Sequence, residues 1–288
     1  ILETSELLKK VRKIEIKTKG LSKQVFSGEY HSAFKGRGMA FSEVRNYIPG
    51  DEIRTIDWNV TARFNEPYVK VFEEERELTV MLIVDISGSE SFGSDELLKR
   101  EFIAEIGAVL AFSATQNNDK IGAILFSDQI ELYIPPKKGR KHILRIIREL
   151  IEFKPKSNLT NIGEVVQHFN NLIKKRAIAF LISDFIGQNL EKALKITAKK
   201  HDLIALRIFD KREKELPNMG LTLFEDGESG KRRWINTSKK RVRERYYNNY
   251  LSREHNILEI FKKSKVDHAN ICIQSGYIQP LMNLFKKR

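Results

Sequence analysis

Two long apolar runs constrain the fold of this chain more than any other feature of its sequence. Thr79–Val84 and Ala177–Ile182 are almost wholly apolar, without the polar alternation of a strand that faces water on one side. Such runs are typical of parallel strands that helices cover on both faces. Further apolar runs alternate with segments whose apolar residues recur at helical spacing. This alternation predicts an α/β fold with a doubly wound, mostly parallel, Rossmann-like sheet.

The predicted elements follow one another along the chain. Strands are predicted at 79–84, 120–126, 130–134, 177–182 and 202–209. Helices are predicted at about 95–115 and at 140–152, 162–174, 190–200 and 238–263. A polar hairpin is predicted at 210–237, and a last strand and short helix within 271–288. Ligands of such sheets bind beyond the carboxyl ends of the strands, where strand order reverses.

Changes in sequence texture divide the chain into three regions. Residues 1–78 open with a basic amphipathic segment, Ser5–Lys19, whose apolar residues recur near helical spacing. The sequence that follows is glycine-punctuated and aromatic-rich, and we expect the whole region to form a β-rich N-terminal subdomain. Residues 79–210 form the α/β domain, and 211–288 form a basic extension that completes the fold. Within the first region we expect Trp58 to fill a core and Arg54 to pair with Asp57. We also expect Arg45, Asp51 and Arg63 to form buried ion pairs between the first two regions.

Positive charge is concentrated at the C-terminal end. The chain has 51 Lys and Arg against 38 Asp and Glu, and residues 231–288 contain 15 basic but only 4 acidic side chains. Aromatic residues interleave with these cations, as on nucleic-acid-binding surfaces. The favoured interpretation is an amphipathic helix whose apolar side packs on the sheet. That side would consist of Val242, Tyr246, Tyr250 and Leu251. The charged side favours an acidic protein partner over nucleic acid.

Several classes of function are disfavoured by composition. The single cysteine, Cys272, excludes an intramolecular disulfide and favours a cytoplasmic location. No apolar run reaches the roughly 18–20 residues that cross a bilayer, so membrane insertion is not expected. The chain lacks the phosphate-loop motif of ATPases, and its histidines show no ligand spacing. No catalytic residues are predicted.

Oxygen-bearing side chains gather where the two long apolar runs end. Asp85, Ser87 and Ser89 follow the first run in an Asp-x-Ser-x-Ser spacing, Thr160 precedes a helix, and Asp184 follows the second run. The ends of parallel strands share one edge of a sheet. Hard oxygen ligands suit Mg²⁺ or Mn²⁺. The spacing alone also fits a simple turn in which Ser and Asp cap the next helix.

At these residues the region 79–210 resembles a von Willebrand factor A domain. The metal-ion-dependent adhesion site of that family uses Asp-x-Ser-x-Ser, a threonine from a later loop and an aspartate from a strand end. The resemblance implies that one Mg²⁺ or Mn²⁺ is held at the five matching positions Asp85, Ser87, Ser89, Thr160 and Asp184. The chain departs from the family pattern at Ser183-Asp184-Phe185, where Thr-Asp-Gly is common.

The segment from Gly36 to Arg63 resembles the signature of a bacterial family called domain of unknown function fifty-eight. Its members pair this segment with a von Willebrand A-like domain and are commonly encoded beside a MoxR-type AAA+ ATPase. The resemblance implies a non-enzymatic, cation-dependent protein-interaction module that works with such an ATPase and an acidic protein client in chaperone-like assembly or maturation. Two alternatives stay open: a metal-dependent phosphohydrolase, and nucleic-acid binding through residues 231–263.

Overall fold

The computed structural model describes residues 9, 11–18, 21, 40–73, 77–87, 96–186, 190–225 and 231–288. Its contacts divide the chain into a smaller unit, Phe34–Glu77, and a larger unit formed by the rest. Residues 11–18 are helical and belong to the larger unit, where Glu15 pairs with Arg140. Residues 1–78 are thus divided between the larger unit and the smaller one.

The described elements alternate between strand and helix through most of the chain. The strands are β1 (Ala40–Asn46), β2 (Tyr68–Glu73), β3 (Thr79–Asp85), β4 (Lys120–Phe126), β5 (Ile130–Lys137), β6 (Ile178–Ser183), β7 (Asp202–Phe209), β8 (Leu221–Glu225), β9 (Arg232–Asn236) and β10 (Asp267–Cys272). The α-helices are α1 (Trp58–Phe64), α2 (Glu96–Gln116), α3 (Arg140–Glu152), α4 (Ile162–Leu172), α5 (Leu190–Lys200), α6 (Lys211–Lys214), α7 (Lys240–Ser264) and α8 (Ile278–Lys286).

The larger unit is built on a six-stranded sheet in the order β10-β7-β6-β3-β4-β5. All neighbouring pairs are parallel except β4 and β5, which are antiparallel. The mostly parallel α/β prediction is therefore confirmed. The chain runs from β3 out to β5 at one edge and then returns to β6 on the other side of β3. Strand order thus reverses between β3 and β6, which is where ligands of such sheets bind.

Helices cover both faces of this sheet. On one face, Met81 and Ile83 pack in a core with residues of α4, α5 and α7. On the other face, a β-carbon at Gly107 of α2 would lie 2.9 Å from Leu150 of α3 and 3.4 Å from Leu82, so glycine permits this close approach. Burial on both faces explains why β3 is apolar throughout.

The smaller unit contains an antiparallel pair, β1 and β2, joined through α1. Asp57 caps α1 by accepting hydrogen bonds from the backbone N–H groups of Asn59 and Val60. Its carboxylate pairs with Lys70 at 3.4 Å and not with Arg54 as expected. The N-cap position explains the difference, because it directs the carboxylate toward the helix start.

Two further expectations for the smaller unit are wrong. Trp58 is 66% exposed and fills no core, because it stands in the first turn of a short helix in which no residue is buried. Arg45 and Asp51 do pair, with their atoms 2.7 and 2.8 Å apart, but both residues belong to the smaller unit. This bidentate pair spans the turn after β1 and lowers the pKa of Asp51 to about 2.

Helix α7 packs on the larger unit with a set of residues that matches the expected one only at Tyr250. Tyr250, Ile257 and Phe261 are buried, whereas Leu251 is 38% exposed. The apolar stripe therefore lies further along the helix than predicted. Among the described helices, none combines the length and apolar character required to cross a membrane.

Candidate metal centre

The candidate site begins with two neighbouring strand ends. Val84 of β3 lies beside Ile182 of β6 in parallel register, which places the next residues, Asp85 and Ser183, side by side. The Ser183 hydroxyl donates a 2.7 Å hydrogen bond to Oδ2 of Asp85. Asp85 is 0% exposed and Ser183 is 0% exposed. A buried carboxylate therefore lies at the carboxyl ends of β3 and β6, where strand order reverses.

The loop after β3 turns back on this carboxylate. The backbone N–H of Ser87 donates to Oδ1 of Asp85 at 3.0 Å. The N–H of Ile86 donates to the carbonyl of Phe126 at 2.8 Å, which holds the loop against the end of β4. Ser87 is 1% exposed. Backbone hydrogen bonds of the loop therefore fix the position of Ser87 beside Asp85.

Thr160 reaches the site from the loop before α4. Its hydroxyl donates a 2.6 Å hydrogen bond to Oγ of Ser87. The N–H of the next residue, Asn161, donates to the carbonyl of Ser127 just after β4, at 3.2 Å. The Asn161 side chain caps α4 by accepting from the N–H of Glu164. The helix cap and the backbone contact together fix where the Thr160 hydroxyl lies.

Asp184 follows β6 and is 4% exposed. One of its oxygens, Oδ1, accepts a 3.0 Å hydrogen bond from the N–H of Ile186. Between them stands Phe185 with φ of 59°, a left-handed conformation that favours glycine. Its ring is 1% exposed and packs edge-on against Phe261 with centroids 4.9 Å apart. This packing holds the buried ring in place at the left-handed position.

The electrostatics of the site are dominated by buried negative charge. Burial, and secondly the charge of Asp184, raise the pKa of Asp85 to about 7, while hydrogen bonds from Ser87 and Ser183 oppose the increase. Among the described residues, neither carboxylate forms an ion pair; the nearby pairs are Lys99 with Glu213 and Arg207 with Glu254.

The donor set fits a hard divalent cation. Two carboxylates and two hydroxyls gather at this edge, and such oxygen ligands suit Mg²⁺ or Mn²⁺. Ser87 donates a hydrogen bond to Asp85 and accepts one from Thr160. Asp184 is close enough for its charge to raise the pKa of Asp85. Ser89 lies outside the described residues. In the described part of the chain no cluster of three His, Cys, Asp or Glu side chains suits a metal. Metal binding by these residues stays a prediction.

Ser183 is a site residue that the sequence analysis did not assign. It donates to Asp85 and accepts from the N–H of Phe185 at 3.0 Å, so it joins the two acidic loops. A signal for it exists in the sequence, since it is the one hydroxyl that ends an otherwise apolar strand. Its role depends on the pairing of β6 with β3, which spacing along the chain does not specify.

An open cleft begins at Thr160 and extends between the first turns of α4 and α5. Its charged lining includes Lys192 and Lys195 of α5 and Arg253 of α7, together with Glu164 and Glu191. The candidate cation site therefore adjoins a surface that a partner can reach.

Fold and site together define an α/β protein with an oxygen-rich centre where its sheet reverses order. The model of the family described as protein of unknown function DUF58 matches residues 43–256, and the chain belongs to this family.

The chain is similar to uncharacterised bacterial proteins and, more distantly, to solved structures. The uncharacterised protein Rv1480 of Mycobacterium tuberculosis is 29% identical over 232 residues, which cover 80% of this chain and 73% of that protein. The solved structure of the conserved hypothetical protein BatB from Bacteroides thetaiotaomicron aligns with a TM-score of 0.45 at 16% identity, over 73% of this chain and 98% of that one. An aerotolerance-related membrane protein from Bacteroides fragilis aligns with a TM-score of 0.47 at 16% identity, over 73% and 100% of the two chains.

Proposed function

We propose that this protein is a non-enzymatic protein-interaction module whose binding depends on a divalent cation, Mg²⁺ or Mn²⁺. The cation would be held by Asp85, Thr160 and Asp184, with Ser87 and Ser89. The observation that carries this proposal is the burial of two aspartates without a basic partner among the described residues.

Buried carboxylates require compensation. Taking an ionised carboxylate out of water costs several kcal/mol unless hydrogen bonds and an opposite charge offset it. The described hydrogen bonds to Asp85 come from neutral groups: the N–H and side chain of Ser87 and the hydroxyl of Ser183. A divalent cation supplies the opposite charge and suits the hydroxyl oxygens beside it. It thereby explains why acidic residues occupy this edge.

A bound cation would offer a Lewis-acidic position that an acidic side chain of a partner can occupy. The chain's own residues orient that approach: Thr160 lies where the cleft beside the site begins, and Lys192, Lys195 and Arg253 line it. These basic side chains attract an acidic partner over distances within a Debye length, about 8–10 Å at physiological salt. The partner we propose is therefore an acidic protein client.

We propose that residues 79–210 form a domain of the von Willebrand A type, on the match of the site motif. We also propose that the protein works with a MoxR-type AAA+ ATPase in chaperone-like assembly or maturation. The partner ATPase rests on family membership alone. If the protein released phosphate from a generic phosphoester and Asp85 were required for this activity, the result would favour a metal-dependent hydrolase instead.

Capture of partners from the native lysate tests the proposal. The immobilised chain is exposed to lysate in Mg²⁺ and in EDTA, beside two variants. Asp184→Asn alters the site, whereas Asp119→Asn changes an equally buried aspartate at the opposite edge of the sheet, where its carboxylate accepts from the N–H of Leu78.

We expect proteins that bind the wild type and Asp119→Asn in Mg²⁺ but are lost in EDTA and with Asp184→Asn. Thermal melting of each variant establishes that it is folded. A set of partners that is the same under all conditions would contradict cation-dependent binding at this site.

A further inference from the structure

The hairpin formed by β8 and β9 exposes large apolar side chains. It forms a two-stranded sheet of its own, in which Leu221 pairs with Asn236 and Leu223 with Trp234. Because side chains two residues apart share a face of a strand, Leu221, Leu223 and Trp234 lie on one face. They are 64%, 43% and 66% exposed, respectively. We call these three residues the apolar face.

The base of the hairpin is tied to the start of α7. The N–H of Thr237 donates to the carbonyl of Gly220 at 2.7 Å, and the N–H of Met219 donates to the Thr237 hydroxyl at 2.8 Å. The Arg243 guanidinium donates to the carbonyl of Thr237 at 2.6 Å and so joins α7 to this base. The apolar face and the first turns of α7 are therefore neighbours in the fold.

Basic side chains surround this base. Residues 231–245 contain eight basic and one acidic side chain. Lys231, Arg233 and Lys239 are exposed, as are Lys240 and Arg241. Helix α7 begins without a side-chain cap and without an acidic residue in its first turn. Cations near a helix N-terminus oppose the helix dipole, so helix stability does not explain this concentration of charge.

We propose that the apolar face and the basic residues around it bind the surface of a membrane that contains anionic phospholipids. The apolar side chains would enter the headgroup region, and the lysines and arginines would lie at the level of the phosphates. Tryptophan suits that interface because its ring is apolar and its N–H can bond to water or headgroups. Each basic residue near an anionic surface adds to the attraction.

The size of the apolar face favours a lipid surface over a protein partner. A stable protein interface takes about 800 Å² and some 20–30 residues from each side. Three side chains on a two-stranded hairpin provide a small part of that area. Peripheral membrane binding needs only a few inserted apolar groups combined with positive charge. This inference involves residues distant in sequence from the cation site and does not depend on the proposed function.

Tryptophan fluorescence tests the inference on the full chain. The chain has two tryptophans, so Trp58→Phe leaves Trp234 as the sole reporter. The probes are vesicles of phosphatidylcholine alone, vesicles with one quarter phosphatidylglycerol, and vesicles of the second kind with brominated acyl chains. Leu221→Ser combined with Leu223→Ser removes the flanking apolar groups. Ile196→Ser, at a 48% exposed position of α5, is the matched control.

We expect a blue shift of Trp234 emission with the anionic vesicles only, and quenching by the brominated lipid. The Leu221/Leu223 double variant should bind at least about tenfold more weakly, and Ile196→Ser should bind as the parent does. Neutralising the exposed Arg241 at the start of α7 to Gln should weaken binding about fivefold at low salt. Melting curves should match those of the parent, because the altered side chains are exposed.

Three outcomes would overturn the inference. The first is no binding to anionic vesicles. The second is binding that the double leucine variant retains in full, which would mean a surface that acts by charge alone. The third is a shift of Trp234 emission with single-stranded RNA but not with vesicles, which would assign the same surface to nucleic acid.

Discussion

The carboxyl edge of the central sheet buries acidic side chains, whereas the β8–β9 hairpin exposes apolar ones. At the edge, Asp85 and Asp184 are 0% and 4% exposed although both are acidic. On the hairpin, Leu221 and Trp234 are 64% and 66% exposed although both are apolar. Folding normally buries apolar groups and leaves charges in water. A cation would supply the missing opposite charge in the first region, as we propose, and an anionic membrane surface would cover the apolar side chains in the second.

The largest expected difference is in the free energy of unfolding that is lost when an aromatic residue is replaced in a buried strand or on the hairpin. Phe180 of β6 is 0% exposed and its ring lies 6.3 Å from that of Phe285. We expect Phe180→Ala to lower the free energy of unfolding by about 3–5 kcal/mol through the cavity it leaves. Trp234→Ala should change it by less than about 0.5 kcal/mol. Urea denaturation followed by circular dichroism measures both, and a similar cost at the two positions would mean that the hairpin face is covered within the chain.

Magnesium should stabilise the folded chain through the sheet edge. At about 100 times its dissociation constant, a ligand that binds only the folded state adds about 2.7 kcal/mol to the free energy of unfolding. We expect this gain in wild type and not in Asp184→Asn. In EDTA the variant should be at least as stable as wild type, because it lacks one of two buried like charges. Denaturation in Mg²⁺ and in EDTA measures this, and an undiminished gain in Asp184→Asn would place the cation elsewhere.

His201 shows how a buried titratable group is accommodated where the described residues supply no partner of opposite charge. It is 0% exposed just before β7, and its Nδ1 accepts a 3.3 Å hydrogen bond from the N–H of Ala177. Burial, followed by the charges of Lys200 and Arg176, lowers its pKa to about 4. The unfolded chain therefore takes up a proton below about pH 6.5 that the folded chain does not.

Stability from this group should be complete above about pH 6.5 and decline as the pH falls toward 4. We expect a loss on the order of 1–2 kcal/mol between about pH 7 and pH 5. His201→Gln should flatten this dependence, and His255→Gln, at an exposed position of α7, should not. Denaturation at a series of pH values measures the slopes, and equal slopes in the two variants would contradict the assignment to His201.

Ser183 should have the smallest effect, because it acts on the cation through Asp85. We expect Ser183→Ala to weaken Mn²⁺ binding about tenfold, the effect typical of a residue that orients a metal ligand. The control is Ser113→Ala, which removes another buried hydroxyl, on α2. Calorimetric titration compares the two, and an unchanged affinity in Ser183→Ala would show that its hydrogen bond does not orient Asp85.

Sequence patterns predict the sheet well because strands that are buried on both faces consist of continuous apolar runs. The bounds of β4, α3, α5 and β7 match those predicted. Each is an apolar run or a segment with helical periodicity, so its own residues specify it. The pair of Glu15 with Arg140 was not predictable, since the residues are 125 positions apart and no local pattern records the contact.

The site and the smaller unit were predictable only in part, for different reasons. Asp85 and Asp184 could be placed on one edge because parallel strands end together. Ser183 could not be assigned, because its bond to Asp85 depends on which strands are neighbours. Trp58 was expected in a core because aromatic residues are commonly buried. Its 66% exposure accompanies a short helix, Trp58–Phe64, in which no residue is buried.

Direct titration with Mn²⁺ tests the central claim, that the buried aspartates at the β3 and β6 ends hold a divalent cation. Isothermal calorimetry on the chain, freed of metal with EDTA and then dialysed, would compare wild type with Asp85→Asn and Asp119→Asn. We predict saturable binding that is present in wild type and Asp119→Asn and weakened at least about 100-fold in Asp85→Asn, because a direct ligand contributes more than the 10–100-fold of a supporting residue. Equal binding by wild type and Asp85→Asn, or no saturable binding by wild type, would contradict the claim.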